Sequence, residues 1–195
     1  MTGDLAGQHV YLIRHGRPAS GWGSADPDPG LDDAGRAQAV LAAERLMALP
    51  SDKRPARVVS SPLRRCQETA RPLAEALGVE IEIKPEVGEV PTPAGLRPEE
   101  RPPWLQKALA GDWDEIVGDL DYDEWRRAVS DAVADCAGSA VFSHFVAINA
   151  VVSVLSQENR VIVFRPDHAS ITTLSVAKHG LRLVSQGSEA TTGVL

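Results

Sequence analysis

The chain has 195 residues, of which 43% are hydrophobic and 24% charged, so its composition is that of a globular protein and excludes a disordered or fibrous chain. Its 27 acidic against 20 basic residues give a net charge of −7, which argues against nucleic-acid or anionic-membrane partners. No apolar run reaches the roughly 18 residues of a membrane span. Two cysteines without CxxC spacing and the lack of a recognisable signal peptide predict one cytoplasmic domain over residues 1–195.

Short apolar runs alternate with helical segments in the first half of the chain. In chain order, the predicted elements are a strand at 10–13, a helix at 32–49, a strand at 57–60, a helix at 61–78 and a strand at 80–83. Asp32 and Asp33 favour the start of the first helix. For the second helix we expect Ser61 as the N-cap, Pro62 in the first position and Gly78 at the end.

An acidic, proline-rich segment follows the third predicted strand. Residues 82–135 contain 14 acidic and 6 basic side chains, a net charge of −8. Turn signals such as Pro102-Pro103 predict an irregular connection rather than regular elements. We expect an insertion at about 86–123, which is either a solvated surface loop or a lid over a site built by the flanking halves.

The second half of the chain continues the alternation. The predicted elements are a helix at 125–136, a strand at 140–143, a helix at 145–156, and strands at 160–164, 170–176 and 181–184. This order predicts a three-layer α/β fold, with a mostly parallel sheet covered by helices on both faces.

Polar side chains follow several of the predicted strands, and in open α/β sheets ligands bind beyond the carboxyl ends of the strands. These side chains are Arg14, His15, Arg64, Arg65, Glu86, Glu89, Ser143 and His144. A cation in the first turn of a helix is unfavourable unless an anion lies nearby, and guanidinium groups and helix N–H groups both suit phosphate. Alternatively, Arg64 or Arg65 pairs with a surface acid such as Glu68.

The sequence offers no competing metal or nucleotide motif. The five histidines form no HxxxH pair, the cysteines join no zinc pattern, and neither a Walker loop nor a GxGxxG follows the first strand. We therefore expect no metal and no cofactor. Phosphoryl transfer then needs arginines to neutralise charge and a neutral imidazole as the nucleophile. Nearby arginines would lower the pKa of such an imidazole and keep its lone pair free.

Five blocks, in order along nearly the whole chain, resemble the histidine phosphatase superfamily with its phosphoglycerate mutase-like fold. They are Leu12-Ile-Arg-His-Gly16, Leu31-Asp-Asp-Ala-Gly35 with Gln38-Ala39, Ser60-Ser-Pro-Leu-Arg-Arg-Cys-Gln-Glu-Thr-Ala70, Ser143-His144, and Asp167-His-Ala-Ser-Ile171. The resemblance implies that His15 is the nucleophile, that Arg14 and Arg65 hold the phosphoryl oxygens, and that His144 donates a hydrogen bond to the same group. Arg65 is preferred to Arg64 because the family's arginine lies two residues after the leucine.

The same resemblance implies a general acid after the third strand. Val87-Gly-Glu-Val90 is similar to the family's setting for it, so Glu89 is the candidate and Glu86 the alternative. His168 stands where relatives have Asn, and we interpret it as structural or as lying behind the site.

Departures from the family pattern indicate how the substrate is bound. Phe145 follows the second histidine where the family has Gly, and Arg17-Pro18 follows Gly16. With Trp22, Arg17 and Phe145 are candidate substrate-binding residues. These features favour a phosphomonoesterase of the histidine acid phosphatase type, acting on a small phosphorylated metabolite.

The alternatives are a phosphoglycerate-type mutase and a weakly active phosphate-binding regulatory module, the latter supported by Phe145. The only partner implied is the small phosphorylated substrate. The sequence is compatible with a monomer and with a homodimer.

Overall fold

A six-stranded sheet forms the centre of the protein, in a computed structural model that describes residues 8–21, 26–178 and 180–190. The strands are β1 (His9–Arg14), β2 (Arg57–Ser60), β3 (Ile81–Ile83), β4 (Ser139–Ser143), β5 (Ile171–Ala177) and β6 (Gly180–Ser185). Across the sheet their order is β3-β2-β4-β1-β5-β6. The first four are parallel, whereas β5 runs antiparallel to β1 and β6 antiparallel to β5. The predicted α/β fold with a mostly parallel sheet is confirmed.

Helices cover both faces of the sheet. They are α1 (Asp33–Met47), α2 (Arg64–Leu77), α3 (Arg101–Ala110), α4 (Tyr122–Ala134) and α5 (Phe145–Ser156). Alternate residues of β1 serve opposite faces, as the two-residue repeat of a strand requires. Tyr11 and Ile13 pack with α1 and α2, while Val10 and Leu12 pack with α4 and α5. In the part of the chain that the structure describes, no helix is both long and apolar enough to cross a membrane.

Helix α2 begins later than predicted, and the expected cap at Ser61 is wrong. The helix starts at Arg64, whose N–H donates to the carboxylate of Asp28 at 2.9 Å. The Ser61 hydroxyl lies 2.7 Å from a ring nitrogen of His144 and accepts the N–H of Leu63 instead. A carboxylate from a distant segment therefore caps the helix, which local sequence alone does not reveal.

The acidic insertion is more regular than predicted, because it contains α3 and short 3₁₀ turns. Pro102 and Pro103 indicated a turn, yet they lie in the first turn of α3. Backbone N–H groups have no partner within the helix at these positions, so proline, which lacks the N–H, is tolerated there. Leu105 and Leu109 of α3 are buried in the core, so the insertion packs on the flanking halves.

The strand predicted at 160–164 is also wrong. The N–H groups of Val163 and Phe164 donate to Oδ1 of Asn149 on α5, at 2.8 and 3.1 Å, and that of Val161 donates to the Gly111 carbonyl. The segment is apolar because it packs against α5, with Val161 and Phe164 buried, and not because it joins the sheet.

Candidate active site

The turn after β1 is held firmly at the carboxyl edge of the sheet. The backbone N–H of His15 donates to the Ser143 carbonyl at 3.0 Å, and that of Gly16 donates to Oγ1 of Thr69 at 2.9 Å. A Cβ atom on Gly16 would lie 2.6 Å from the carbonyl oxygen of Gly35, so this approach to α1 requires glycine. The ends of β1 and β4 and the helices α1 and α2 thus fix the backbone of His15.

The imidazole of His15 is neutral and has one ring nitrogen without a protein partner among the described residues. Its Nδ1 lies 2.8 Å from the carbonyl oxygen of Gly16, which can only accept, so Nδ1 carries the proton and Nε2 keeps its lone pair. Burial lowers the pKa of His15 well below its usual range, with further lowering from His144, Arg65 and Arg14. The ring is therefore neutral at neutral pH.

Two arginines beside His15 supply buried positive charge. Arg14 is 4% exposed, and its Nη1 donates to the Pro166 carbonyl at 2.9 Å, while its Nε has no hydrogen-bond partner among the described residues. Burial lowers the pKa of Arg14 to about 10, so the group stays charged at neutral pH. Arg65 is equally buried, with its Nη1 3.9 Å from Asp28. Buried guanidinium groups with unused donors favour an anion between them.

Arg64 points elsewhere. Its Nε pairs with Glu68 at 2.7 Å and its side chain is largely exposed. Pairing with a surface acid, the alternative considered for both arginines, describes Arg64 well, whereas Arg65 is buried and makes only a long ion pair with Asp28, at 3.9 Å.

His144 lies behind the arginines rather than at the cavity surface. It is fully buried, and its ring centroid is 5.3 Å from that of His15. Arg65 donates to Nδ1 at 3.2 Å, so Nε2 carries the proton and donates to Oγ of Ser61 at 2.7 Å. Burial, with Arg65 and Arg14, lowers the pKa of His144 well below its usual range.

Both ring nitrogens of His144 thus have protein partners in this arrangement, and the hydrogen bond from His144 to a phosphoryl group stays a prediction.

Glu89 lies in the wall of the cavity that opens over His15, whereas Glu86 is exposed and lies outside that wall. Burial raises the pKa of Glu89, although the N–H of Val90 and the charges of Arg65 and Arg14 act in the opposite direction. The segment after β3 that carries Glu89 is anchored by the Ser143 hydroxyl, which donates to the Val87 carbonyl at 2.7 Å. A carboxyl group with a raised pKa is suited to donate a proton.

The cavity has a volume of about 850 Å³, a size that accommodates a metabolite and not only a phosphate. Its floor contains His15, Arg14 and Arg65, and Phe145 and Arg17 also line it. Arg17 is exposed and pairs with Asp32 at 2.6 Å. The outer walls are largely apolar, with prolines and leucines from the insertion and the loops: Pro85, Pro91, Pro98, Leu105, Leu109, Leu63 and Val90. The predicted contact from Trp22 lies outside the described residues.

His168 was predicted to be structural or to lie behind the site, and the structure places it at the cavity surface instead. It lines the cavity, and its ring centroid is 5.8 Å from that of His15. The search for polar residues after the carboxyl ends of strands did not include His168, because His168 precedes a strand, and that strand is antiparallel. Since Ile171 of β5 pairs with Ile13 of β1, the amino end of β5 arrives at the same edge as the carboxyl end of β1. The late block that contains His168 was the available signal.

Among the described residues, no cluster of three or more His, Cys, Asp or Glu side chains is arranged to hold a metal ion. Cys66 is buried in α2, and its Sγ donates to the Ser143 carbonyl at 3.3 Å. Burial raises the pKa of this thiol, so it packs as a neutral group beneath the site.

Comparisons with known proteins agree with this geometry. The sequence model of the histidine phosphatase superfamily (branch 1) matches residues 10–189. A Schizosaccharomyces pombe protein named "Probable phosphatase C1687.21" is 37% identical over 81 residues, a match that spans 40% of this chain and 34% of that protein.

Two solved structures share the fold. A mycobacterial glucosyl-3-phosphoglycerate phosphatase superposes with a TM-score of 0.69 at 23% identity, covering 93% of this chain and 99% of that one. The phosphoserine phosphatase of Entamoeba histolytica, in complex with 3-phosphoglyceric acid, superposes with a TM-score of 0.71 at 23% identity, covering 92% of this chain and 96% of that one. Both confirm the phosphoglycerate mutase-like fold that the resemblance implied.

Proposed function

The chain belongs to the histidine phosphatase superfamily, and we propose that it is a metal-independent phosphomonoesterase of the histidine acid phosphatase type, acting through a phosphohistidine. The observation that carries this proposal is the setting of His15. Its ring is neutral, with a free Nε2, next to two buried arginines and below a wall that holds Glu89. This setting supports His15 as the nucleophile, the two arginines as the charge-stabilising groups and Glu89 as the proton donor.

In the first step, Nε2 of His15 attacks the phosphorus atom of the monoester. The N–P bond forms as the bond from phosphorus to the leaving oxygen breaks, and the Glu89 carboxyl gives its proton to that oxygen. Arg14 and Arg65 stabilise the negative charge on the non-bridging oxygens. The products are phosphorylated His15, the free alcohol and the Glu89 carboxylate.

In the second step, water attacks the phosphorus atom, and the Glu89 carboxylate takes the proton that the water loses. The N–P bond breaks, its electron pair returns to Nε2, and inorganic phosphate leaves. Glu89 is then protonated and His15 neutral, as at the start.

The outer cavity supports a small monoester whose leaving group is partly apolar. Leucines of α3 and several prolines form its walls. Arg101, at the start of α3, lines the same space, and its side chain makes no ion pair or hydrogen bond with another described residue. An unpaired guanidinium at this place suits an anionic group at the far end of the leaving group.

A regulatory module without turnover, the alternative that Phe145 suggested, needs no proton donor in the cavity. The place of Glu89 in the cavity wall supports the hydrolase instead. No feature of the described residues specifically supports a mutase.

Hydrolysis of an aryl phosphate in the presence of a chelator tests the proposed function. We expect turnover in the wild type and a loss of several orders of magnitude in His15→Ala, because the nucleophile is removed. His9→Ala is the matched control, since His9 lies on the same strand and stacks on Tyr11 away from the cavity. Turnover that requires an added divalent cation, or that survives in His15→Ala, would contradict the mechanism.

A further inference from the structure

We propose that His168 binds the transferred phosphoryl group directly, by donating a hydrogen bond from its ring to a non-bridging oxygen. The proposal rests on the proposed function, because it places a phosphoryl group over His15.

The rings of His168 and His15 lie beside each other at the surface of the cavity. His168 and His15 both line the cavity, with ring centroids 5.8 Å apart and ring planes tilted by 51°. Rings at this distance touch each other, so a tetrahedral oxyanion in the cavity sits above both and can contact each, since a hydrogen bond spans about 2.8 Å between heavy atoms.

The backbone around His168 is fixed to the end of β1. The N–H of Ala169 donates to the carbonyl of Arg14 at 3.0 Å, and the N–H of Arg14 donates to the carbonyl of Ser170 at 3.3 Å. Ala169 has a φ of 54°, a left-handed conformation that a non-glycine residue adopts only when its surroundings hold it. His168 is therefore presented to the cavity by a rigid turn.

The ring nitrogens of His168 make no hydrogen bond to another described residue, whereas those of His144 do. Within the described ranges neither ring nitrogen of His168 makes a hydrogen bond, and Nδ1 is 4.0 Å from Oδ1 of Asp167. That carboxylate oxygen accepts the backbone N–H of His168 at 2.8 Å instead. Both ring nitrogens of His144, by comparison, are engaged with Arg65 and Ser61.

Charges around His168 come from β1, the loop after it, the start of α1 and its own turn. Burial lowers the pKa of His168 to about 4, with Arg14 and Arg17 lowering it and Asp167 and Asp32 raising it. The free ring is thus neutral at neutral pH and offers one N–H. A bound oxyanion favours the charged form of the imidazole, so the pKa of His168 rises on binding.

Direct binding of vanadate to His168→Leu and His168→Asn, measured by calorimetry, tests the proposal. We expect the Leu variant to bind about 10- to 100-fold more weakly, the loss of a hydrogen bond to a charged group. The Asn variant keeps an N–H donor and should stay within about threefold of the wild type. An unchanged affinity in His168→Leu, or an equal loss in both variants, would overturn the contact.

Ring NMR signals supply a second readout, because an oxyanion bound beside His168 raises the pKa of its imidazole. The signal that disappears in His168→Asn belongs to His168, and its pKa should rise when vanadate is added to the wild type. A pKa that does not move would overturn the proposal. Neither experiment requires turnover, so a failure here is distinguishable from the failure of His15 as nucleophile.

Discussion

At the scale of single residues, the site combines a free nucleophilic nitrogen with buried positive charge that has few protein partners. The proton of His15 is committed to the Gly16 carbonyl, and Nε of Arg14 has no partner among the described residues. Neighbouring side chains of the same type differ sharply, because Arg65 is buried beside His144 while Arg64 pairs with Glu68. Position in the tertiary structure, not residue type, decides which arginine can bind an anion.

Arg65→Ala and Arg64→Ala form a matched pair for oxyanion binding. We expect Arg65→Ala to weaken vanadate binding about 10- to 100-fold, because charge-assisted hydrogen bonds are lost. Arg64→Ala should change it by less than about threefold, since that guanidinium is already paired at the surface. Calorimetry of the two variants measures this. Equal losses would contradict the assignment.

Glu89→Gln removes the proton donor while keeping the size of the side chain. Esters with poor leaving groups, such as alkyl phosphates, should slow far more than activated aryl phosphates, because phenolates leave without protonation. The leaving-group dependence of kcat/KM in wild type and variant measures this effect, because that ratio reports the step in which the leaving group departs and not the later hydrolysis of the phosphohistidine. A uniform loss across the series would exclude Glu89 as the acid, and Glu86→Gln is the control because Glu86 is exposed.

The dependence on pH follows from the same two groups. In the wild type, kcat/KM should fall as pH rises through the raised pKa of Glu89, because the acid loses its proton. It should fall on the acid side only as His15 becomes protonated, below the usual histidine range. The alkaline limb should disappear in Glu89→Gln. A pH profile of kcat/KM for both proteins checks this, and an alkaline limb that persists in the variant would contradict it.

At the scale of elements, local patterns predicted the parts whose structure depends on local chemistry. Strand β2 and helix α5 have the bounds that their sequences indicate. Segments whose donors are used by distant groups were mispredicted: Asn149 takes the N–H groups of the segment predicted as a strand, and Asp28 caps α2. In α3, a proline pair that typically breaks helices lies at the one place where a helix tolerates it.

The insertion provides a prediction of its own about substrate choice. Arg101→Ala should raise KM for monoesters whose leaving group ends in a carboxylate about tenfold, with little change in kcat, because the contact is far from the reacting atoms. Arg97→Ala is the control, since Arg97 lies in the same insertion and pairs with Glu99 and Glu100. Steady-state kinetics on matched carboxylate and neutral esters measures the effect. A KM change that is the same for both esters would remove Arg101 from substrate binding.

At the scale of the whole molecule, the mixed sheet explains why the site could be predicted only in part. Parallel strands bring the residues after β1 and β4 to one edge of the sheet, as the position of polar residues after the predicted strands indicated. The orientation of His144 and the approach of His168 depend on contacts made after the sheet is assembled. No single stretch of sequence contains that information.

The central claim is that His15 carries the phosphoryl group during turnover. The direct measurement is an acid-free rapid quench of the enzyme with a ³²P-labelled monoester, followed by peptide mapping. The account predicts label on His15, stable to base and lost in acid, as phosphohistidine is. With an activated aryl ester, which phosphorylates His15 without the acid, it predicts a larger steady-state amount of label in Glu89→Gln, because hydrolysis of the intermediate loses its base. Label on another residue, or turnover without any labelled protein in either variant, would contradict it.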